Sequence, residues 1–134
     1  MIRYNYVEDV QPPAPFVHLR ADNPVNGSTL KDVAAQIDTG ADRTLIPESL
    51  VEALNLPQLG ALLIRATGGA QQRLPTYPLQ LRIRNLTPVT LEVVASAGEQ
   101  WTRIGRDVLN RYRIVIDGPQ LTIEIGESAE PSDS

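Results

Sequence analysis

Eleven prolines and nine glycines are spread along the 134 residues, and they cut the chain into pieces too short for long helices. Proline removes a backbone donor and breaks a helix interior, while glycine supplies turn conformations that other residues avoid. Between the breaks lie short apolar runs, several alternating with polar residues, the pattern of strands joined by turns. The length suffices for one domain with a real core and is too short for two of ordinary size. A strand-rich single domain is therefore expected.

Charge and rare residues narrow the function. Twelve Lys and Arg against sixteen Asp and Glu give a formal charge of -4. No basic run is present to follow a phosphate backbone, so nucleic acid is not an expected partner. With no Cys and one His, disulfides and thiolate metal sites are excluded, and neither a metal nor another cofactor is expected. No apolar run approaches the ~18 residues of a membrane span, and the N-terminus MIRYNYVEDV is too polar for a signal peptide. The expectation is a cytoplasmic protein with no membrane partner.

Residues 1–15 read as an extended arm, because VQPPAP forbids helix and offers few donors to a ladder. Phe16–Arg20 and Lys31–Ile37 alternate as strands about the turn chemistry of Asp22–Ser28, which predicts a hairpin delivering its end to Asp38. Leu50, Val51 and Leu54 have helical spacing between Pro47 and Pro57, which predicts a short helix. Ala61–Ile83 reads as a long hairpin about TGGA, and Val89–Ala95 and Trp101–Gly105 as two further strands. Arg106–Arg113 can make two helical turns, and Ile114–Ile125 a hairpin about Asp117-Gly118-Pro119. The division expected is an arm at 1–15, one domain at 16–126 and a disordered acidic tail at 127–134. The fold class is all-β, a closed or sandwich-like arrangement of short antiparallel strands with two small helices.

The run AAQIDTGADRTLI (34–46) places a carboxylate at the end of an apolar strand and follows it with Thr-Gly-Ala. As a turn this is ordinary, since Asp and Thr bond nearby backbone and Gly tolerates positive φ. It is also what a catalytic aspartate would look like. IDTGADRTLI, then the Gly-rich LIRATGGAQQRL, then IGRDVLNRY, in this order, resemble the retroviral-type aspartic proteases, the retropepsin-like family, across roughly Val17 to Ile125. The helix after Pro47 and the final hairpin look more like cellular members, such as the protease domain of the DNA-damage-inducible family, whose C-terminal strands help form a dimer.

That resemblance implies a closed antiparallel β-barrel of the retropepsin-like acid protease type with one or two short helices, paired as a two-fold homodimer. It implies an aspartic endopeptidase acting on a polypeptide substrate, with water activated by two Asp38 carboxylates, one from each copy. Two close carboxylates share one proton because both cannot ionise together, so one takes a proton from water while the other bonds the scissile carbonyl. The family pattern gives Thr39 the brace across the axis and Gly40 the tight turn. Ala41 supplies no hydroxyl to Asp38. Asp42 and Arg106 match positions that pair in the family, locking two loops.

Thr67, Gly68, Gly69 and Ala70 match the flap tip that opens for substrate, although a hairpin turn explains the glycines too. Trp101 falls where the family lines its pockets, or packs in the core, and Arg103 departs from the apolar norm there. Asp117 is in the other Asp-Gly pair, but it lacks the following Thr and reads as a turn. Three readings stand: an active homodimeric aspartic endopeptidase, a catalytically inactive retropepsin-like dimerisation or peptide-binding module, and an unrelated small β-barrel in which DTG is only a turn.

Overall fold

The computed structural model of the chain describes residues 1–65 and 68–128. In chain order its elements are β1 (Ile2–Asn5), β2 (Phe16–Asp22), β3 (Thr29–Ile37), β4 (Leu45–Pro47), α1 (Glu48–Leu54), β5 (Gly60–Arg65), β6 (Gln71–Arg82), β7 (Val89–Ser96), β8 (Thr102–Ile104), α2 (Arg106–Leu109), β9 (Tyr112–Asp117) and β10 (Thr122–Glu127). Period-two burial explains the longer strands. In β2, Val17, Leu19 and Ala21 point into the core while His18 and Arg20 stay outside.

Strands β2, β3, β8, β4, β7 and β6 pair in that order, and a further β2–β6 pairing closes them into a six-stranded barrel. β5 lies outside the ring, bonded only to the outer half of the long β6, so the two project as a hairpin. Two pairings are parallel, β3–β8 and β4–β7, where the sequence pattern led to an antiparallel expectation throughout. The reason is that β8 inserts between β3 and β4, and β4 between β8 and β7, so each inserted strand runs antiparallel to one neighbour and parallel to the other. β4 was not expected either, because three residues are too few to show a period.

α1 lies where its sequence signals put it, and α2 is shorter than its own. α1 ends at Leu54, ahead of Pro57, because Asn55 turns left-handed (φ 50°). Buried Asn23 closes that end from across the barrel, donating from Nδ2 to the carbonyls of Leu54 (2.9 Å) and Asn55 (3.2 Å). α2 is a single turn where two were expected, since Tyr112 is already buried as the first residue of β9 and its hydroxyl donates to the Thr87 carbonyl.

A second sheet, ordered β1-β10-β9, covers one end of the barrel. The scarcity of donors in VQPPAP does not extend to residues 2–5, which pair with β10 from Ile2↔Ile125 to Asn5↔Thr122. Arg3 adds an ion pair to Glu124 at 2.7 Å. Ile123 and Ile125 of β10 are fully buried in the same core as Val17, Leu79 and Ile104, so the C-terminal strand is part of the domain's own interior. Glu127 still belongs to β10. Of the expected tail, residues 129–134 lie outside the described residues.

Candidate active site

Asp38 follows the last residue of β3, and its N–H donates to the Ile104 carbonyl (2.9 Å), so the ladder to β8 continues one residue beyond the strand. The chain then turns sharply, with Gly40 N–H donating to Asp38 Oδ1 (3.0 Å) and Ala41 N–H to the Asp38 carbonyl (3.2 Å). A Cβ on Gly40 would sit 3.3 Å from that carboxylate oxygen, so a glycine lets the turn close tightly. Thr39 and Gly40 are exposed at its crest.

The loop is held from the residues after β8. Arg106 donates its N–H to the Ala41 carbonyl (2.9 Å) and Nη1 to the Thr39 carbonyl (2.7 Å). Asp107 accepts from Thr44 twice, from N–H at Oδ2 (2.9 Å) and from the hydroxyl at Oδ1 (2.7 Å). The buried Thr44 hydroxyl in turn accepts from Gly105 N–H (3.2 Å). A Cβ on Gly105 would lie 2.6 Å from the carbonyl carbon and oxygen of Arg43, a separation only glycine permits.

This lock differs from the expected Asp42–Arg106 pair, which is absent among the described residues. Arg106 opens α2 and its guanidinium runs back to a backbone carbonyl, while Asp42 stays exposed. The carboxylate that joins the two loops is Asp107, one residue further on, and its partner is Thr44. Sequence reasoning missed both, although each stands inside a quoted motif, ADRT and GRD.

Asp38 faces a cavity of about 470 Å3. Residues 40–43 form one side, Ser96, Glu99 and Arg103 another, and Ile64, Arg65, Gln72 and Leu74 of the β5–β6 hairpin a third. At the hairpin tip Gly68 (φ 96°) and Gly69 (φ 84°) adopt the left-handed conformations expected of them, and Ala70 is exposed. Thr67 lies outside the described residues. Trp101 does not line this cavity. It precedes β8 and leans over β3 onto Phe16, edge to face at 5.2 Å, with Nε1 donating to Gln36 Oε1 (2.9 Å). It walls a separate cavity with Val7 and Val10.

Arg103, whose role the sequence left open, is the polar group beside Asp38. Its Nη1 lies 3.2 Å from Asp38 Oδ2 and its Nε 3.4 Å from Glu99 Oε2. Burial works against the charge on the guanidinium, but Glu99 and Asp38 outweigh it and hold Arg103 above its ordinary pKa. Asp117 is remote in kind: it ends β9 in the other sheet and caps its own turn, accepting from Gln120 N–H (3.1 Å). Among the described residues no group of three or more His, Asp or Glu side chains is placed to hold a metal, and no helix is long and apolar enough to cross a membrane.

A family model described as aspartyl protease matches residues 23–116, which contain the whole Asp38 loop and its lock. The chain belongs to this aspartyl protease family. A retropepsin-like aspartic protease from Rickettsia conorii superposes with a TM-score of 0.62 at 15% identity, covering 96% of this chain and 92% of that one. The EIAV protease, solved with an inhibitor, superposes with a TM-score of 0.57 at 17% identity over 72% of this chain and 86% of its own. At such identities the likeness establishes the fold, which is retropepsin-like, and the reading of DTG as a turn in an unrelated barrel falls. No curated protein matches the chain in sequence.

Proposed function

We propose that the protein is an aspartic endopeptidase working as a two-fold homodimer, in which each copy contributes Asp38 to one catalytic pair. The observation that carries this reading is the Asp38 carboxylate itself, held in a locked turn at the floor of a cavity in a chain of the aspartyl protease family. One chain supplies one such carboxylate, and the chemistry needs two. The ionised member takes a proton from water as the water attacks the peptide carbonyl, and the protonated member bonds the carbonyl oxygen as it becomes tetrahedral. The proton taken from water then passes to the leaving amine.

The crest residues Thr39 and Gly40 are exposed, as a turn meeting its own image must be. β9 is an outer strand of the second sheet and exposes Val115 and Ile116, an apolar edge on which a second copy can pair. The β5–β6 hairpin overhangs the cavity and serves as the flap, with Gly68 and Gly69 at its tip. A second reading, a peptide-binding module without turnover, is favoured by one observation only: Arg103 occupies Asp38 Oδ2.

The test is digestion of a diverse peptide library at several pH values by the protein and by Asp38→Asn, with sedimentation of both. The wild type is expected to sediment as a dimer and to cut with a bell-shaped pH profile belonging to the pair. Asp38→Asn, which cannot take the proton, should keep the dimer and lose all cleavage. Cleavage that persists in Asp38→Asn would end the aspartic mechanism; a wild type that binds peptides yet cuts none would establish the module.

A further inference from the structure

We propose that Arg103 selects an acidic side chain beside the scissile bond, and that this side chain frees Asp38 for catalysis by drawing Arg103 away from it. The proposal rests on the peptidase reading above and concerns the same cavity.

The backbone of Arg103 is pinned between two strands, opposite Gln36 of β3 and Leu45 of β4, so its side chain starts from a fixed point in the cavity wall. Where it stands, 3.2 Å from Asp38 Oδ2, it occupies an oxygen that water and the substrate carbonyl must reach. A working pair needs one carboxylate of its two protonated. With an Arg103 in this position in each copy, one oxygen of each carboxylate is taken up by a guanidinium instead of by water or the substrate carbonyl. During turnover Arg103 must therefore leave Oδ2.

A guanidinium with a side chain only 34% exposed does not shed one carboxylate without another to replace it. Glu99 reaches it with a single oxygen at 3.4 Å, which leaves the other face of its donor fork open. A peptide whose carbonyl lies over Asp38 brings its adjacent side chain next to Arg103, and a carboxylate there satisfies the fork with the bidentate geometry that guanidinium prefers. Because the two-fold copy brings a second Arg103, the preference falls on both residues that flank the scissile bond.

The cavity carries two more guanidinium groups in its lining. Arg43 and Arg65 also line it and, among the described residues, have no acidic partner within 4 Å. The acidic groups facing them are Asp38, Asp42 and Glu99. Once the catalytic pair takes up its shared proton, the lining carries more positive than negative charge, which attracts an acidic peptide.

The experiment is a set of peptides identical except for Glu, Gln, Leu or Lys before the scissile bond, assayed at about pH 6, where a substrate carboxylate is ionised. The wild type is compared with Arg103→Leu and Glu99→Gln. For the wild type, kcat/KM for the Glu peptide should exceed that for Gln by about 10- to 100-fold, the size of a charge-assisted bond. Arg103→Leu should erase that ratio and prefer Leu. Glu99→Gln, which removes the resident competitor for the guanidinium, should raise it. Equal cutting of Glu and Gln by the wild type, or a Glu preference that survives in Arg103→Leu, would overturn the proposal.

Calorimetry with uncleavable hydroxyl-bearing mimics carrying Glu or Gln separates the two claims. A Glu preference in binding that depends on Arg103, with no peptide cut, would keep the selection and end the peptidase reading. Cleavage with no such preference would keep the peptidase reading and end the selection.

Discussion

Residues 38–44 and the outer half of the β5–β6 hairpin face each other across one cavity and are held in opposite ways. The loop receives or gives hydrogen bonds at Asp38, Thr39, Ala41 and Thr44, with outside partners in the short stretch Arg103 to Asp107 and at Val94, whose N–H donates to the Thr44 carbonyl. Among the described residues the hairpin beyond Leu74 has only its own ladder, with β5 paired to β6; Gln71 to Arg73 are exposed, and Leu63 is 64% exposed. A reacting carboxylate must be placed to a fraction of an ångström, which needs support from several directions. A wall that admits a polypeptide must yield, so its stability must be local and low.

The strongest way to break this contrast is Gly105→Ala. The added methyl would overlap the Arg43 carbonyl, so the loop or β8 must shift, and a loss on the order of 3 kcal/mol in denaturant unfolding is expected, with activity gone. A variant as stable and active as wild type would show that the two loops can part at little cost.

Asp107→Ala comes next. It strands the N–H of buried Thr44, and a destabilisation of about 2 kcal/mol should appear in the same measurement. Asp107→Asn, which keeps an acceptor, should recover much of it. If Asp42→Ala proved the more damaging of the two sites, the assignment of the lock to Asp107 would be wrong.

Arg106→Lys removes the guanidinium but can still reach the Thr39 carbonyl with one donor, so about 1 kcal/mol is expected. Loss of activity should exceed loss of stability, because Thr39 sits at the crest beside Asp38. Equal tolerance at Arg106 and at exposed Arg73 in an activity assay would make Arg106 an ordinary surface residue.

On the other wall, Gly69→Ala forces a left-handed φ of 84° on a residue with a Cβ, a strain of about 1 kcal/mol confined to the tip. Thermal melting should fall by only a few degrees, since nothing in the core depends on that turn, while KM should rise. A drop in melting temperature comparable to that of Asp107→Ala would erase the difference between the two walls.

Patterns carried within a few residues were readable in the chain itself. The hairpin of β2 and β3, the long hairpin with its glycine tip, α1, and the placement of Asp38 at a strand end follow from alternation, turn residues and breakers, which act locally. The family resemblance rested on three motifs in order, and each lies where that order led: one at the turn, one in the hairpin and one at the lock.

What only the tertiary structure decided are relations between residues some 60 positions apart. That β8 threads between β3 and β4, making two pairings parallel, leaves no local period in either strand. That Asp107 rather than Asp42 joins the loops, that Trp101 turns away to Phe16, and that Arg103 reaches Asp38 depend on which side chains the barrel's closure brings into contact. Hydrogen bonds, ring contacts and close ion pairs need the groups side by side, so the chain specifies them only through the fold that assembles them.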